Sequence, residues 1–165
     1  MSNIIEQSVI DQEEDTQKGK FLIFTLGSED YGLDIKYVTE IIGIQKITEV
    51  PELPEYIRGI INLRGRIIPV MDVRLRFRKS FREYNDRTCI VIVETKDISV
   101  GLILDAVSEV ISIPDQDIAK PPDLNKEHGN RYIKGIGKVR IEVKLLLDCN
   151  KLLSNDEIQN LEVIN

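Results

Sequence analysis

The chain has 165 residues, of which 42% are hydrophobic and 30% are charged, and its formal net charge is −6. A chain of this length and composition can bury roughly two-thirds of the surface of its unfolded form, so a folded globular protein is expected. Two cysteines without paired spacing exclude a disulfide scaffold and a cysteine-rich metal site. We expect Cys89 and Cys149 to be small core residues.

The N-terminal segment, residues 1–18, is acidic and polar. A secretory signal would instead be basic and then apolar. No apolar run in the chain reaches the roughly 18 to 20 residues of a membrane span. We therefore expect a soluble cytoplasmic protein that begins with a flexible acidic tail.

The next feature is an internal repeat that covers most of the chain. At a shift of 69 residues, FLIF (21–24) aligns with IVIV (90–93), and YGLDIKYVTEII (31–42) aligns with VGLILDAVSEVI (100–111). At a shift of 76, YIRGI (56–60) aligns with YIKGI (132–136), Arg64 with Arg140 and Asp72 with Asp148. Matches in the same order, separated by one loop insertion, indicate an internal duplication.

Each copy opens with the pattern of a β-hairpin. An apolar strand at 21–24 or 90–93 is followed by a turn at 27–30 or 95–97 and by a second strand at 31–35 or 98–104. The following apolar residues have a three-to-four spacing that favours a turn of helix leading into a strand. They are Val38, Ile41 and Ile42 in the first copy, and Val107, Val110 and Ile111 in the second.

Each copy closes with a loop, two strands and a short helix. Prolines break the chain after the helical turn, and two strands then flank the Arg64–Gly65 turn or its counterpart. A short helix is predicted to begin at Asp72 or Asp148 because aspartate is a favourable N-cap. Residues 154–165 predict a C-terminal helix, with Ser154 as N-cap and Glu157 completing a capping box.

These elements predict a mainly β fold with short helices. Five short, mostly antiparallel strands in a unit of about 65 residues suggest a small β-barrel. Two such units are individually marginal, so we expect them to pack as two lobes of one monomeric chain. The predicted boundaries are residues 19–83 for the first lobe and 84–153 for the second.

A basic band at residues 58–87 suggests one candidate function. It contains nine Lys/Arg and three Asp/Glu, a net of +6, which leaves −12 for the rest of the chain. Phe77, Phe81 and Tyr84 lie among these cations, as in proteins that bind single-stranded nucleic acid. The band is also compatible with a solvated helix and loop after Asp72, and the acidic total argues against phosphate binding.

Catalytic, metal and cofactor chemistry find no support in the sequence. The single histidine, His128, has no nucleophile arranged around it in a recognisable motif. GIGK (135–138) lacks the glycine spacing and the Ser/Thr of a phosphate loop. Asp115, Asp117 and Asp123 lack the glycine and glutamate of a calcium loop. We expect a protein that is not an enzyme and holds neither metal nor cofactor.

Three segments, FLIFTLGSEDYGLDIKYVTEI, YIRGIINLRGRIIPVMDVRLRF and VGLILDAVSEVI, resemble the CheW family of chemotaxis coupling proteins. The resemblance extends from about Gly19 to Leu153. It implies two SH3-like five-stranded barrels that link the cytoplasmic tip of a chemoreceptor to a histidine kinase whose regulatory domain has the same fold. It also implies recruitment to the inner face of the membrane through receptors. The second copy has KVRI where the first has the LRG turn, so the two lobes need not offer equivalent surfaces.

The resemblance further implies a receptor-binding surface on the first copy and its repeat. The residues that match the family's receptor-facing positions are Val38, Glu40, Gly59, Arg64 and Val110. We add Ile41, and Asn62, Leu63 and Gly65 from the Arg64 turn, where Gly65 is predicted to have a positive φ. A groove between the barrels would take an amphipathic helical hairpin, with Glu40 and Arg64 as an exposed ion pair at its rim. The alternative is that Val38, Ile41 and Val110 are simply core.

Overall fold

The structure is a computed structural model that describes residues 17–96, 98–122 and 131–153. The strands in these ranges are β1 Lys20–Leu26, β2 Glu29–Asp34, β3 Val38–Gly43, β4 Ile57–Leu63, β5 Arg66–Asp72, β6 Cys89–Glu94, β7 Ser99–Leu104, β8 Ala106–Ser112, β9 Ile118–Ala119, β10 Ile133–Val139 and β11 Glu142–Leu147. Two short helices are α1 Val73–Arg76 and α2 Cys149–Leu153, and two 3₁₀ turns are Ile35–Tyr37 and Asp115–Asp117. Most of the predicted tail and the predicted helix at 154–165 lie outside the described residues.

The strands form two sheets, which confirms the mainly β prediction. The first sheet has the order β8-β1-β2-β11-β10-β9, and the second has the order β3-β6-β7-β5-β4. Both predicted hairpins, β1–β2 and β6–β7, are present and antiparallel. The only parallel pairings among these strands join each hairpin to its sheet, β2 with β11 and β7 with β5.

The two sheets exchange hairpins between the halves of the chain. Hairpin β1–β2 lies in the sheet of β8 to β11, and hairpin β6–β7 lies in the sheet of β3 to β5. The sequence had suggested two contiguous lobes, residues 19–83 and 84–153. The two sheets do not coincide with these lobes. The apolar runs of β1 and β6 are buried on both faces, as central strands are. Such a run has no polar face that could indicate which sheet it joins.

The internal duplication is visible in equivalent hydrogen bonds. The backbone N–H of Asp72 donates to the carbonyl of Tyr56 at 2.7 Å, and Asp148 donates to Tyr132 at the same distance. Each aspartate side chain also accepts from the backbone N–H three residues later, at 3.3 Å in the first copy and 3.0 Å in the second. Both aspartates thus cap their helices as predicted.

The segments predicted as helical turns are strands in the structure. A single 3₁₀ turn, Ile35–Tyr37, precedes β3, and the residues from Val38 onward are extended. The pairing of β3 with β6 skips Thr39, and the pairing of β8 with β1 skips Ser108, its equivalent at a shift of 69. A bulge of this kind breaks the alternation of a strand, which produced the helix-like spacing in the sequence.

The apolar core has one central part and one smaller part behind each sheet. The central part contains side chains from both sheets and both helices, including a stack of Phe24, Tyr31, Phe77 and Tyr132 with ring centroids 5.5 to 5.7 Å apart. Cys149 is buried in this core as predicted, whereas Cys89 is only half-buried. A core common to both sheets means that neither sheet is expected to fold alone.

The buried thiol of Cys149 predicts a pH dependence of stability. Burial raises the pKa of this thiol to about 12 from an ordinary value of 9.0. The unfolded chain releases the proton near pH 9 while the folded chain keeps it, so raising the pH favours unfolding. The contribution of Cys149 to stability is full below pH 9 and falls by up to about 1.4 kcal/mol per pH unit above it.

The test is urea unfolding of the unsubstituted protein and of Cys149→Ala at pH 7 to 10. The expected result is a stability difference between them that shrinks above pH 8 to 9, with Cys89→Ala as the matched control. Burial also raises the pKa values of Tyr31 and Tyr84, so the measurement stops where tyrosine begins to ionise. Parallel stability curves for Cys149→Ala and the unsubstituted protein would contradict the prediction.

Candidate functional site

The hairpin between β4 and β5 presents an arginine on a tight turn. Leu63 pairs with Arg66, so Arg64 and Gly65 are the two central residues, with φ values of 52° and 89°. Positive φ at both positions is the requirement of a type I′ turn, which matches the twist of the flanking strands. The side chain of Asn62 accepts the Gly65 N–H at 2.8 Å. The predicted turn is confirmed, and it holds Arg64 away from the sheet.

Arg64 forms the predicted ion pair with Glu40. The Arg64 guanidinium donates to the Glu40 carboxylate, and the two side chains are 70% and 32% exposed. The hydrogen bond to Glu40 raises the pKa of Arg64 above its ordinary value. Glu40 lies on β3 and Arg64 follows β4, the two strands at opposite edges of the five-stranded sheet. Their contact shows that the sheet curls until its edges meet.

Gly59 and Leu63 of the predicted set are buried beneath this surface. Gly59 has φ 143°, and a Cβ placed on it would lie 2.1 Å from the carbonyl oxygen of Thr48. Thr48 pairs there with Ile60 through two backbone hydrogen bonds of 2.9 Å. Leu63 is 7% exposed and packs in the core behind the five-stranded sheet. These residues shape the backbone under the surface, and their side-chain positions are not available to a partner.

The three apolar residues of the predicted set have different environments. Val38 is partly buried against the central core. Ile41 is 45% exposed and Val110 is 50% exposed, so the core interpretation fails for these two. Ile41 and Val110 are equivalent at a shift of 69 and lie on the edge strands β3 and β8 of different sheets. The predicted set therefore spans both sheets.

The second copy does not reproduce the ion pair of the first. Glu109 and Arg140 are equivalent to Glu40 and Arg64, and Arg140 has a similar φ of 59°. Both side chains are exposed, and no ion pair joins them in the described part of the chain. Ile141, which replaces the turn glycine, is fully exposed. The two copies thus present different surfaces at equivalent turns.

The basic band of residues 58–87 is largely engaged within the protein. Most of its cations contact other side chains: Arg74 and Arg82 pair with Asp105, Lys79 with Glu29, Arg66 bonds Ser99, and Arg58 lies over Phe81. Phe77 is buried, and the Tyr84 hydroxyl donates to Asp72 at 2.8 Å. Single-stranded nucleic-acid binding uses several exposed rings beside free cations, whereas Phe81 is the one exposed ring of the three and Arg58 already lies over it.

Asp105 was not indicated by the sequence and holds several of these cations. Its carboxylate accepts from Arg74 at 2.7 Å, from Arg82 at 3.5 Å and from the backbone N–H of Gly27 at 2.9 Å. It thereby connects the β1–β2 turn to the segment after β5. The equivalent position in the first copy is Lys36, so the repeat gave no signal for it.

Replacing Asp105 with asparagine is expected to lower the free energy of unfolding by about 1 to 2 kcal/mol, because hydrogen bonds to charged groups exceed those to neutral ones. Arg74 and Asp105 are only 14% and 15% exposed, so solvent screens this pair weakly. Arg82→Ala is the matched control, since Arg82 is 56% exposed and its loss should change stability little. Equal losses in the two variants, measured by urea unfolding, would show that Asp105 does not act through Arg74.

The described residues were predicted to contain neither a metal-binding group nor a phosphate loop. They contain no group of three or more His, Cys, Asp or Glu that could hold an ion. GIGK lies within strand β10 instead of before a helix, which excludes a phosphate loop. His128 and Asp123 lie outside the described residues. None of the helices in residues 17–96, 98–122 and 131–153 is long and apolar enough to cross a membrane.

Comparisons with known proteins agree on one family. The CheW-like domain model matches residues 20–157. The chemotaxis protein CheW of Klebsiella aerogenes is 36% identical over 139 residues, which are 84% of each chain. That of Treponema pallidum is 35% identical over 146 residues, which are 86% of each chain. The crystal structure of the scaffolding protein TtCheW from Thermoanaerobacter tengcongensis matches with a TM-score of 0.77 at 39% identity, over 84% of this chain and 94% of that one.

Proposed function

Because the chain belongs to the CheW-like family, we propose that it is a non-catalytic scaffold coupling the cytoplasmic tips of chemoreceptors to the chemotaxis histidine kinase. The relatives are named as chemotaxis proteins, and the solved structure is named as a scaffolding protein. In this role the chain works in the cytoplasm and is recruited to the inner face of the membrane by receptors. It is expected to be a monomer when alone.

The observation that carries the proposal is the exposed Glu40–Arg64 pair. Arg64 stands on a turn whose backbone is fixed by Gly65 and by the Asn62 hydrogen bond, and Glu40 lies on strand β3. A charge held on a rigid backbone can set the register of a partner, and no loop has to lose entropy when the partner binds. Long charged side chains whose only role is to keep a surface hydrated do not need a fixed backbone.

The exposed aliphatic residues supply the second part of the surface. Ile41 lies one residue after Glu40 and is 45% exposed. Successive side chains of a strand point to opposite faces, so Glu40 and Ile41 offer a charged contact and an apolar contact on the two faces of the edge strand β3. An amphipathic helical hairpin that packs around this edge buries its apolar face and contacts the charges at its border. We propose that a receptor helical hairpin docks on Ile41 and Val110, with Glu40 and Arg64 at the rim.

The test compares two exposed isoleucines in binding to a receptor cytoplasmic fragment. Ile41→Asp is expected to weaken binding by about ten-fold or more, because a charge replaces a buried contact. Ile141→Asp is the matched control, since Ile141 is fully exposed on the turn between β10 and β11, which contributes no residue to the proposed surface. Melting curves of both variants verify folding. Equal affinities of the two folded variants would remove Ile41 from the interface.

A further inference from the structure

An arginine is buried where the two copies meet. Arg76 ends helix α1 and is only 8% exposed. Its guanidinium lies over the rings of Tyr56 and Tyr132, with distances of 4.3 and 4.9 Å to the ring centroids. These tyrosines are equivalent at a shift of 76. Arg76 therefore sits between matching residues of the two copies.

In the part of the chain that the structure describes, two polar groups at this position have no hydrogen-bond partner. They are the Nε of Arg76 and the hydroxyl of Tyr132, whose residue is 3% exposed. A second guanidinium, that of Arg131, lies 4.7 Å from the Tyr132 ring centroid. Across the described ranges, no carboxylate lies within ion-pair distance of Arg76 or Arg131.

Within the described residues, this arrangement leaves a buried guanidinium without a counter-charge. Buried charges in proteins are normally paired, because losing hydration without a counter-charge is costly. Stacking of Arg76 on tyrosine rings offsets part of that cost, but it leaves the Nε–H donor without a partner. Arg76 and Arg131 contact the same ring, so their charges lie within about 10 Å, roughly one Debye length, and repel each other.

We propose that Arg76, Arg131 and Tyr132 form a binding site for an oxyanion, either a carboxylate or a phosphate. A guanidinium presents parallel N–H donors that match the oxygens of both groups. The Tyr132 hydroxyl supplies one more donor, and the exposed Arg131 adds a second cation over the Tyr132 ring. The anion neutralises the two cations and satisfies the unpartnered groups. The site is separate from Glu40 and Arg64 and does not depend on the proposed function.

The repeat shows that the fold itself does not require this site. At a shift of 76, Leu152 occupies the position of Arg76 in the second copy, and it is completely buried. The position of Arg131 is occupied in the first copy by Glu55, an exposed acid. The same backbone thus accommodates an apolar residue at one position and an acid at the other. Arg76→Leu therefore introduces the residue type that already occupies the equivalent position in the second copy.

The test measures the thermal unfolding midpoint of the full chain against increasing phosphate, and separately acetate, with chloride keeping the ionic strength constant. The unsubstituted protein is expected to show a saturable rise, because an anion that binds only the folded state stabilises it. Phosphate also stabilises proteins non-specifically without saturating, so each series is compared with Arg76→Leu and with Arg87→Leu. Arg87 is exposed and lies outside the site.

Arg76→Leu is expected to lose the saturable part, or to weaken it by about ten-fold or more, while Arg87→Leu keeps it. Arg131→Ala changes an exposed position and should weaken the saturable response to the anion several-fold. It serves as the second variant if Arg76→Leu does not fold. A saturable response to acetate alone identifies a carboxylate site, and a response to phosphate alone identifies a phosphate site. An unsaturable rise that is the same in all proteins would overturn the proposal.

Discussion

Replacing Gly59 with alanine is expected to lower the free energy of unfolding by about 3 to 5 kcal/mol. The added Cβ would lie 2.1 Å from the Thr48 carbonyl oxygen, on a backbone whose φ of 143° is strained for any residue with a side chain. Relief requires the segment at Thr48 to move away, which breaks its two hydrogen bonds with Ile60. Urea unfolding followed by circular dichroism measures the loss.

Gly43→Ala is the matched control for this substitution. Gly43 lies on the edge strand β3, and a Cβ there would meet no atom within 4 Å. Its replacement should leave the unfolding midpoint almost unchanged. Similar losses for the two alanine variants would mean that the contact with Thr48 does not determine the effect. Receptor binding by Gly59→Ala is expected to fall only in proportion to the unfolded fraction, since the glycine itself is buried.

Reversing either charge of the Glu40–Arg64 pair is expected to weaken receptor binding by about ten-fold or more while the protein stays folded. The pair is exposed in the free protein, so solvent screens it and its loss should change the melting midpoint little. A docked partner removes that solvent and leaves the remaining charge without its mate. The double variant Arg64→Glu with Glu40→Arg should recover part of the lost affinity.

The measurement is a double-mutant cycle of receptor-fragment affinity beside melting curves. Arg140→Glu is the matched control, because Arg140 occupies the equivalent turn of the second copy and forms no ion pair with any residue that the structure describes. Strictly additive losses would show that Glu40 and Arg64 act independently. A large fall in the melting midpoint of Arg64→Glu would instead identify the arginine as part of the closure between β3 and β4.

Local features of the fold could be predicted because short-range chemistry determines them. The hairpins follow from apolar runs around a turn, the Arg64–Gly65 turn follows from glycine, and the helix starts follow from Asp72 and Asp148. The Glu40–Arg64 contact was anticipated from the family resemblance, and the structure confirms it. Each of these features depends on residues close in sequence or on a known relative.

Features that depend on pairing between residues far apart in the chain could not be predicted from the sequence. The exchange of hairpins is decided by parallel contacts such as Val70 with Gly101, and no local pattern encodes a parallel partner. The bulge at Thr39 gave β3 a helical spacing, so a strand was mistaken for a helix turn. Gly59 was placed on the surface because a resemblance transfers positions without burial. Its contact with Thr48 becomes visible only once the sheet has closed.

The most direct test of the proposed coupling role is co-sedimentation of the kinase with membrane vesicles that carry a chemoreceptor. The kinase is mixed with the vesicles in the absence of this chain, with the chain, and with its Arg64→Glu variant. A scaffold predicts that the kinase sediments in a receptor-dependent way only when the unsubstituted chain is present, and that the variant restores far less. Kinase sedimentation that is the same with and without the chain would contradict the coupling role.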